Sequence, residues 1–550
     1  MNGAMLLRPM LESFERLVQD KSSQALTMLS ECKSLARNIK AHRNPDISVL
    51  SLASLPTKEI ADRLIDGYLR SSESIFRVLH IPSFKREYQG FWSAVADGTS
   101  NTPAVYRLQV KLVMAIGAAT FDKDFSLRAT AVQWVQEAET WLSRPSSKSR
   151  LSIPALQATI LLHIARQTTG IGADLIWIST GTLIRTAIAM GMHRDPKKLP
   201  KTSLFSTEIR RRLWNTILEI AVQSSIDSGG PPMISLTDFD TEPPDNLDDM
   251  HLTTEDEHIA PQAVDIYTQV SVAIAMRRTF PIRLAIAKAL NDLRPTKLSY
   301  HDLIRIDAEL REAYKQLSRH LHGFKDHTTG PYELRFVDLI IRRYFLALHL
   351  PLFGPALHDA TFAYSRRVVI DTATKLWQTT SGADDLASLS VCGAGFFRTI
   401  PIQAALVIAA ELRAQLLEEE CLGPRTARPD LVAILKESKD WSLKRIEAGE
   451  TNIKGHLSIC ALIAQIDAIA QNLSDNEGYQ SFVASVQQAL HRCLAILQAA
   501  SHVATISDSA NEVEEDWEMP DFQFGVPESE GFFSFAPNWL LGDILPNVAL

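Results

Sequence analysis

The sequence predicts an all-α protein: a large multi-helical body followed by a disordered, acidic C-terminal tail. Three observations carry that expectation. Apolar residues recur at helical spacing along most of the chain, as at Leu156, Ile160 and Ile164, and no run of alternating residues marks a strand. Of the 550 residues 46% are hydrophobic, ample for a large core or two fused ones. Charge is segregated. From Cys493 onward there are ten acidic residues and no Lys or Arg, which leaves 56 basic against 54 acidic residues in the rest of the chain.

The same reading sets the boundaries. Residues 1–45 form an amphipathic, coiled-coil-like helix, 46–500 the helical body and 501–550 the tail, where helical periodicity gives way near Ser501. Inside the body, Ile209, Leu213, Ile217 and Ile220 mark a helix with Ser206 as its N-cap. Ser228-Gly229-Gly230-Pro231-Pro232 stops it. Asp238–Pro261, rich in acid, Pro and Asn, reads as a long exposed loop, and Glu418–Pro429 as a shorter one.

The five cysteines, at 32, 392, 421, 460 and 493, lack metal-ligand spacing and form no even disulfide framework, so a reducing, intracellular compartment is expected. Met1-Asn2-Gly3 opens no signal pattern. The best membrane candidate, Ile400–Ala410, contains Gln403 and is flanked by Arg398 and Glu411. It is short of the roughly 20 apolar residues a span needs and reads as a core helix. A net charge of −8 provides no global basic field for nucleic acid.

Leu7, Leu11, Phe14, Val18, Lys21, Ala25, Met28, Cys32, Leu35 and Ile39 step 4-3-4-3, with Lys21 as the one polar member. Leu7, Leu11, Phe14, Val18, Met28, Leu35 and Ile39 would make the seam of a homodimer. Leu6, Met10 and Leu17 widen the stripe, as a helix packed on its own body requires.

Three further segments form an ordered set. Leu64–Trp92 pairs a helix carrying Tyr68 with a His80-Ile81-Pro82 turn and a second helix through Phe84, Tyr88, Phe91 and Trp92. In Ile184–Pro196, Gly191 sits at a helix C-terminus, with His193 and Arg194 at the negative end of the helix dipole, followed by Asp195. In Glu208–Asp249, Glu208 lies one turn before Arg211 and Arg212, Trp214 is a core anchor, and Gly229, Gly230, Pro231 and Pro232 follow.

Together the three segments resemble, over residues 50–350, the middle homology region of fungal zinc-cluster transcription factors. The resemblance implies a nuclear transcription regulator controlling a metabolic or secondary-metabolite gene set, with a helical body able to hold a small effector. Members ordinarily carry six clustered cysteines that bind two zinc ions and deliver a helix to DNA. No such cluster lies within these residues, so direct DNA contact and a zinc cofactor are expected only if a cluster is encoded upstream of Met1. Otherwise the chain reaches DNA through a partner, as a regulatory co-factor.

The tail supports the same reading independently. Its ten acids are interleaved with Trp517, Phe522, Phe524, Phe532, Phe533, Phe535 and Trp539, the pattern of an amphipathic activating segment. Trp539, Leu540, Ile544 and Leu545 would anchor a short helical turn on a transcriptional coactivator.

No enzyme is expected, and no residue is assigned to catalysis or metal binding. His193-Arg194-Asp195 spells the start of a kinase catalytic loop, but Pro200 stands where its asparagine belongs. Gly170-Ile171-Gly172 lacks the third glycine of a dinucleotide site. Asp248-Asp249 suggests the diphosphate site of an all-α terpene cyclase, but Leu252 replaces the further Asp, and a solvated acidic loop is the expectation. His163, on an apolar helix, is expected to be a satisfied core histidine.

Overall fold

The computed structural model describes residues 9–10, 12–14, 16–17, 24–42, 55–97, 102–143, 151–198, 202–252, 260–291, 299–325, 328–382, 384–417 and 428–508. Among them all regular structure is helical, as the periodicity predicts. The chain divides into two compact units, one of residues 46–348 and 379–398, the other of residues 1–45, 349–378 and 399–550.

The first unit is built around the helix Ala104–Ala118, buried at every residue from Leu108 onward. A helix apolar all round must be covered on all sides. Lys58–Arg70, Arg128–Ser143 and Ile153–Thr169 pack against it. One polar residue inside that shell, Lys111, is neutralised by Glu137 at 2.5 Å, with both side chains 3% exposed or less. Closest approach falls at Gly117, where a Cβ would lie 1.8 Å from the Leu64 carbonyl oxygen. The chain continues through Ile176–Ala189, the 25-residue helix Leu204–Ser228, Ser271–Asn291 and Tyr300–His322, each packed on its predecessor.

The 204–228 helix starts earlier than its sequence suggests. Ser203, not Ser206, is the N-cap, its Oγ accepting from the Ser206 N–H at 3.2 Å. It stops as predicted, with Gly229 in the left-handed region at φ 69°. Inside the unit, Glu219 holds Arg283 through two bonds of 2.6 and 2.7 Å. Arg343 donates to Gln223 at 2.6 Å and pairs with Asp227. His163 is the satisfied core histidine expected. Its Nδ1 lies 2.8 Å from the Thr159 carbonyl and its Nε2 3.0 Å from Ser179 Oγ. Burial pushes it down to about 4.

In the second unit Asp475–Asp508 is the spine, packed by Gln24–His42, Lys454–Ala470 and Pro429–Glu447. That helix runs past the compositional break near Ser501, which is therefore not a structural end. Phe14, Met28 and Ile39 of the N-terminal stripe are buried and Leu35 is half-buried, whereas Leu7, Leu11 and Val18 lie outside the described residues. Phe14 meets Phe482 edge-on at 5.2 Å, and Arg16 lies 4.2 Å over the Tyr479 ring. Of the two readings of the stripe, the structure has the helix packed on its own body.

Cys32, Cys460 and Cys493 are gathered in this packing, and burial pushes their thiols up to about 11, 11 and 12. They behave as small core side chains. The predicted core helix at 400–410 is longer than read. Phe396–Leu417 spans 22 residues with Pro401 inside it. By length and composition this helix could cross a membrane, but 61% of its apolar window is buried in the protein.

A buried ion network as candidate functional site

The three ordered segments meet in one network of charges within the first unit. The helix Lys58–Arg70 supplies Tyr68, and the short helix Ser72–Phe76 supplies Glu73. Arg77 follows it in the left-handed conformation, φ 49°, which turns the chain toward His80. The 204–228 helix supplies Glu208, Arg211 and Arg212. These guanidinia, 1% exposed, are among the largest fully buried side chains of the protein.

At the first node Asp249 Oδ1 accepts from Arg77 at 2.6 Å and from Arg212 at 2.5 Å, and its Oδ2 accepts from the Ile81 N–H at 2.8 Å. Glu73 accepts from the Tyr68 hydroxyl and from the Val78 and Leu79 N–H groups, with Arg77 at 3.9 Å. His80 Nε2 donates to the Asp249 carbonyl at 2.8 Å, which leaves its Nδ1 to accept from Ser83. At the second node Arg211 holds Asp195 through Nε and Nη2 at 3.0–3.1 Å. Its Nη1 reaches Asp245 at 3.0 Å and Glu208 at 3.3 Å.

Three charge pairs per node in a largely buried setting explain the titration behaviour. Burial would raise Asp249, but Arg77 and Arg212 outweigh it and hold the carboxyl below its ordinary range. Asp195 is lowered in the same way, burial being offset by the Glu242 and Lys197 N–H groups and by Arg211. Glu73 and Glu208 go the other way. Burial pushes each up to about 7, with Asp245 adding its like charge at Glu208.

Over residues 238–252 the acidic segment after the Gly-Gly-Pro-Pro stop is not the exposed loop its composition suggests, and residues 253–259 lie outside the described residues. Asp240 N–H donates to the His193 carbonyl at 3.0 Å, and Thr241 Oγ donates to Met192 O at 2.7 Å. Thr241, Leu247 and Asp249 are buried. Asp249 is 1% exposed, a buried acceptor rather than a solvated carboxylate. The reason is pairing: two buried guanidinia demand a carboxylate between them. Asp248 is half-buried and accepts from the Gln269 N–H at 2.9 Å.

Phe84, Asp195, Arg211, Arg212 and Trp214 are buried, while Trp92, Gly191, His193, Gly229, Gly230, Pro231 and Pro232 are half-buried. Pro82 and Arg194 are exposed, Arg194 lying 3.6 Å from Asp240. Glu208 contacts Arg211 but not, as expected, both arginines, because Arg212 is turned to Asp249 and the Leu247 carbonyl. Sequence reading missed Glu73, Arg77 and Asp245, and placed Asp249 in a solvated loop. It also missed Trp177, whose ring covers Gly230 and whose Nε1 donates to Pro231 O at 3.2 Å. The available signal was charge inside apolar runs, as in Ser72–Leu79. Activation-segment residues Trp517, Phe522, Phe524, Phe532, Phe533, Phe535, Trp539, Leu540, Ile544 and Leu545 lie outside the described residues.

A cleft of about 550 Å³ opens beside the second node, lined by Asp195, Lys197, Lys198, Arg211, Asp240 and Glu242 among others. Among the described residues no group of His, Cys, Asp and Glu could hold a metal ion. The network positions chain segments; its charged groups are already spent on one another.

The segments joined here fall inside a stretch that the family described as "Fungal specific transcription factor domain" matches, residues 65–310. Residues 65–310 are a fungal specific transcription factor domain. The domain therefore contains the whole network, from Tyr68 to Asp249. Over 529 residues the chain is 31% identical to transcription factor opdR of Penicillium oxalicum, covering 88% of this chain and 65% of that protein. It is 30% identical to transcription factor lepE of Aspergillus flavus, covering 87% of this chain and 60% of the relative. It is 29% identical to the aspyridones cluster regulator apdR of Emericella nidulans, over 74% of this chain and 57% of that one. The chain thus spans under two thirds of the length of these relatives. No solved structure matches.

Proposed function

We propose that the chain is a nuclear transcription regulator of a fungal secondary-metabolite gene set, in which the domain described above is the regulatory body. The observation that carries this reading is the match of residues 65–310 to a fungal specific transcription factor domain, together with relatives named as transcription factors and a cluster regulator. The network supports it. Eight charged residues from three distant segments close on one another with no nucleophile–base pair between them, which suits a body that holds a shape rather than one that turns over a substrate.

The acidic tail is the activating segment in this reading. Its acids are interleaved with Trp517, Phe522, Phe524, Phe532, Phe533, Phe535 and Trp539, which serve as anchors for a coactivator groove. The 550 residues hold no six-cysteine cluster, so the DNA address is supplied from outside them, by a zinc cluster encoded upstream or by a DNA-binding partner.

Deleting the gene should abolish or strongly reduce transcripts of a neighbouring set of biosynthetic genes; an unchanged transcriptome under producing conditions would refute the reading. Residues 501–550 fused to an unrelated DNA-binding domain should drive a reporter, and alanine at the seven aromatic positions should silence it. A silent fusion with the aromatics intact would remove the activating role from the tail.

A further inference from the structure

The second node is unbalanced. One guanidinium, Arg211, faces three carboxylates: Asp195, Glu208 and Asp245. Asp195 takes most of it, through three contacts of 3.0–3.1 Å, and accepts two backbone N–H groups besides, from Lys197 and Glu242, both at 2.9 Å. Asp245 is 27% exposed and has water on one side. Glu208 has neither advantage. Its side chain is fully buried, its one contact with Arg211 is the longest of the set at 3.3 Å, and its other oxygen accepts from the Asp245 N–H at 3.0 Å.

The charged groups around Glu208 can be counted from each packed element. Its own helix brings Arg211 and Arg212, and Arg212 is committed to Asp249 and the Leu247 carbonyl. The 190–198 segment brings Asp195. The closing segment, 239–249, brings Asp245 and Asp249. Beyond Asp249 stand Arg77, Glu73 and His80, whose Nε2 is fixed on the Asp249 carbonyl. At the cleft stand Lys197, which is exposed, and Lys198, which is spent on Asp240 at 3.0 Å. A third full negative charge at this node would therefore be buried without a cation of its own.

We propose that Glu208 makes closure of the 239–249 segment proton-linked: the closed segment keeps a proton on this side chain, and departure of that proton loosens the segment. Burial and then Asp245 push Glu208 up to about 7 from an ordinary 4.5, which puts the change near neutral pH. The closed form binds more protons than the open one between those values. Closure is therefore strongest below the ordinary carboxyl range and weakens as pH rises through about 7. The limit is about tenfold per pH unit for one proton.

Amide hydrogen exchange on the full chain reads this locally. Asp245 N–H bonds to Glu208 itself and Glu242 N–H to Asp195, so both amides report closure. Between about pH 6 and 8, after correction for intrinsic exchange, their protection should fall several-fold in the wild type and stay level in E208Q. E73Q alters the other raised carboxyl and should keep the wild-type dependence at these two amides. Should E208Q not fold, D245N removes the like charge and should move the transition to higher affinity for Arg211, hence to lower pH. Wild-type protection independent of pH, a retained dependence in E208Q, or an unmoved transition in D245N would each overturn the proposal.

Discussion

Asp249→Ala is expected to destabilise the protein by about 3–5 kcal/mol, the cost of removing one partner from a buried ion pair. The reason is what it leaves behind. Arg77 and Arg212 both lean on this carboxylate, at 2.6 and 2.5 Å, and both are at most 2% exposed. Without it two guanidinia face each other in the interior, with Glu73 at 3.9 Å as the nearest remaining acid. The Ile81 N–H, at the start of the helix Ile81–Ala96, also loses its acceptor. Asparagine keeps the shape but not the charge, so Asp249→Asn should be nearly as damaging.

The pH dependence separates charge from shape. Asp249 is held below the ordinary carboxyl range, so its contribution is present above that range and is lost as pH falls through the lowered value. That is the opposite sign to Glu208. In urea unfolding at neutral pH, D249A should show a much lower midpoint than the wild type, and the gap should narrow in strong acid. Equal midpoints at neutral pH would mean that the two arginines find other partners.

How much of this could be read beforehand depends on where each partner lies in the chain. Helices were legible because their signal is local: Leu156, Ile160 and Ile164 lie on one face and are all buried. Asp195, Arg211, Arg212 and Trp214 were legible as residues, since they stand in recognisable motifs, but not as a site. Arg77 and Asp249 are 172 residues apart, and nothing local distinguishes a carboxylate waiting for two arginines from one facing water. Composition misled here, because acid, Pro and Asn usually mean exposure. The core helix read at 400–410 extends on both sides to Phe396–Leu417 and runs through Pro401, since one lost N–H bond is tolerated where the flanking turns are buried. The stripe at 7–39 has the spacing of a dimer seam, and spacing alone cannot tell a second copy from the chain's own helix Asp475–Asp508.

Gly117→Ala should cost at least about 3 kcal/mol, more than a single methyl usually does in a core, because the obstacle is backbone. A Cβ there lies 1.8 Å from the Leu64 carbonyl oxygen, 2.7 Å from its carbon and 3.2 Å from its Cα. No rotamer change relieves that contact; the helix Lys58–Arg70 must move away from Ala104–Ala118. Gly67, on the same crossing, is less constrained, since its closest neighbour at 2.8 Å is the Thr120 hydroxyl, which can turn aside. Gly90, with nothing within 4 Å, provides the control: Gly90→Ala should stabilise its helix by about 0.5–1 kcal/mol. The damage at Gly117 would also reach the network. Tyr68 sits in the displaced helix and donates to Glu73, so a shift there withdraws a hydrogen bond from a buried carboxylate. Thermal unfolding of the two alanine variants should therefore diverge in sign, and G117A should in addition lose exchange protection at the Val78 and Leu79 amides, which bond to Glu73. A G117A protein as stable as G90A would mean that the two helices cross less tightly than this packing requires.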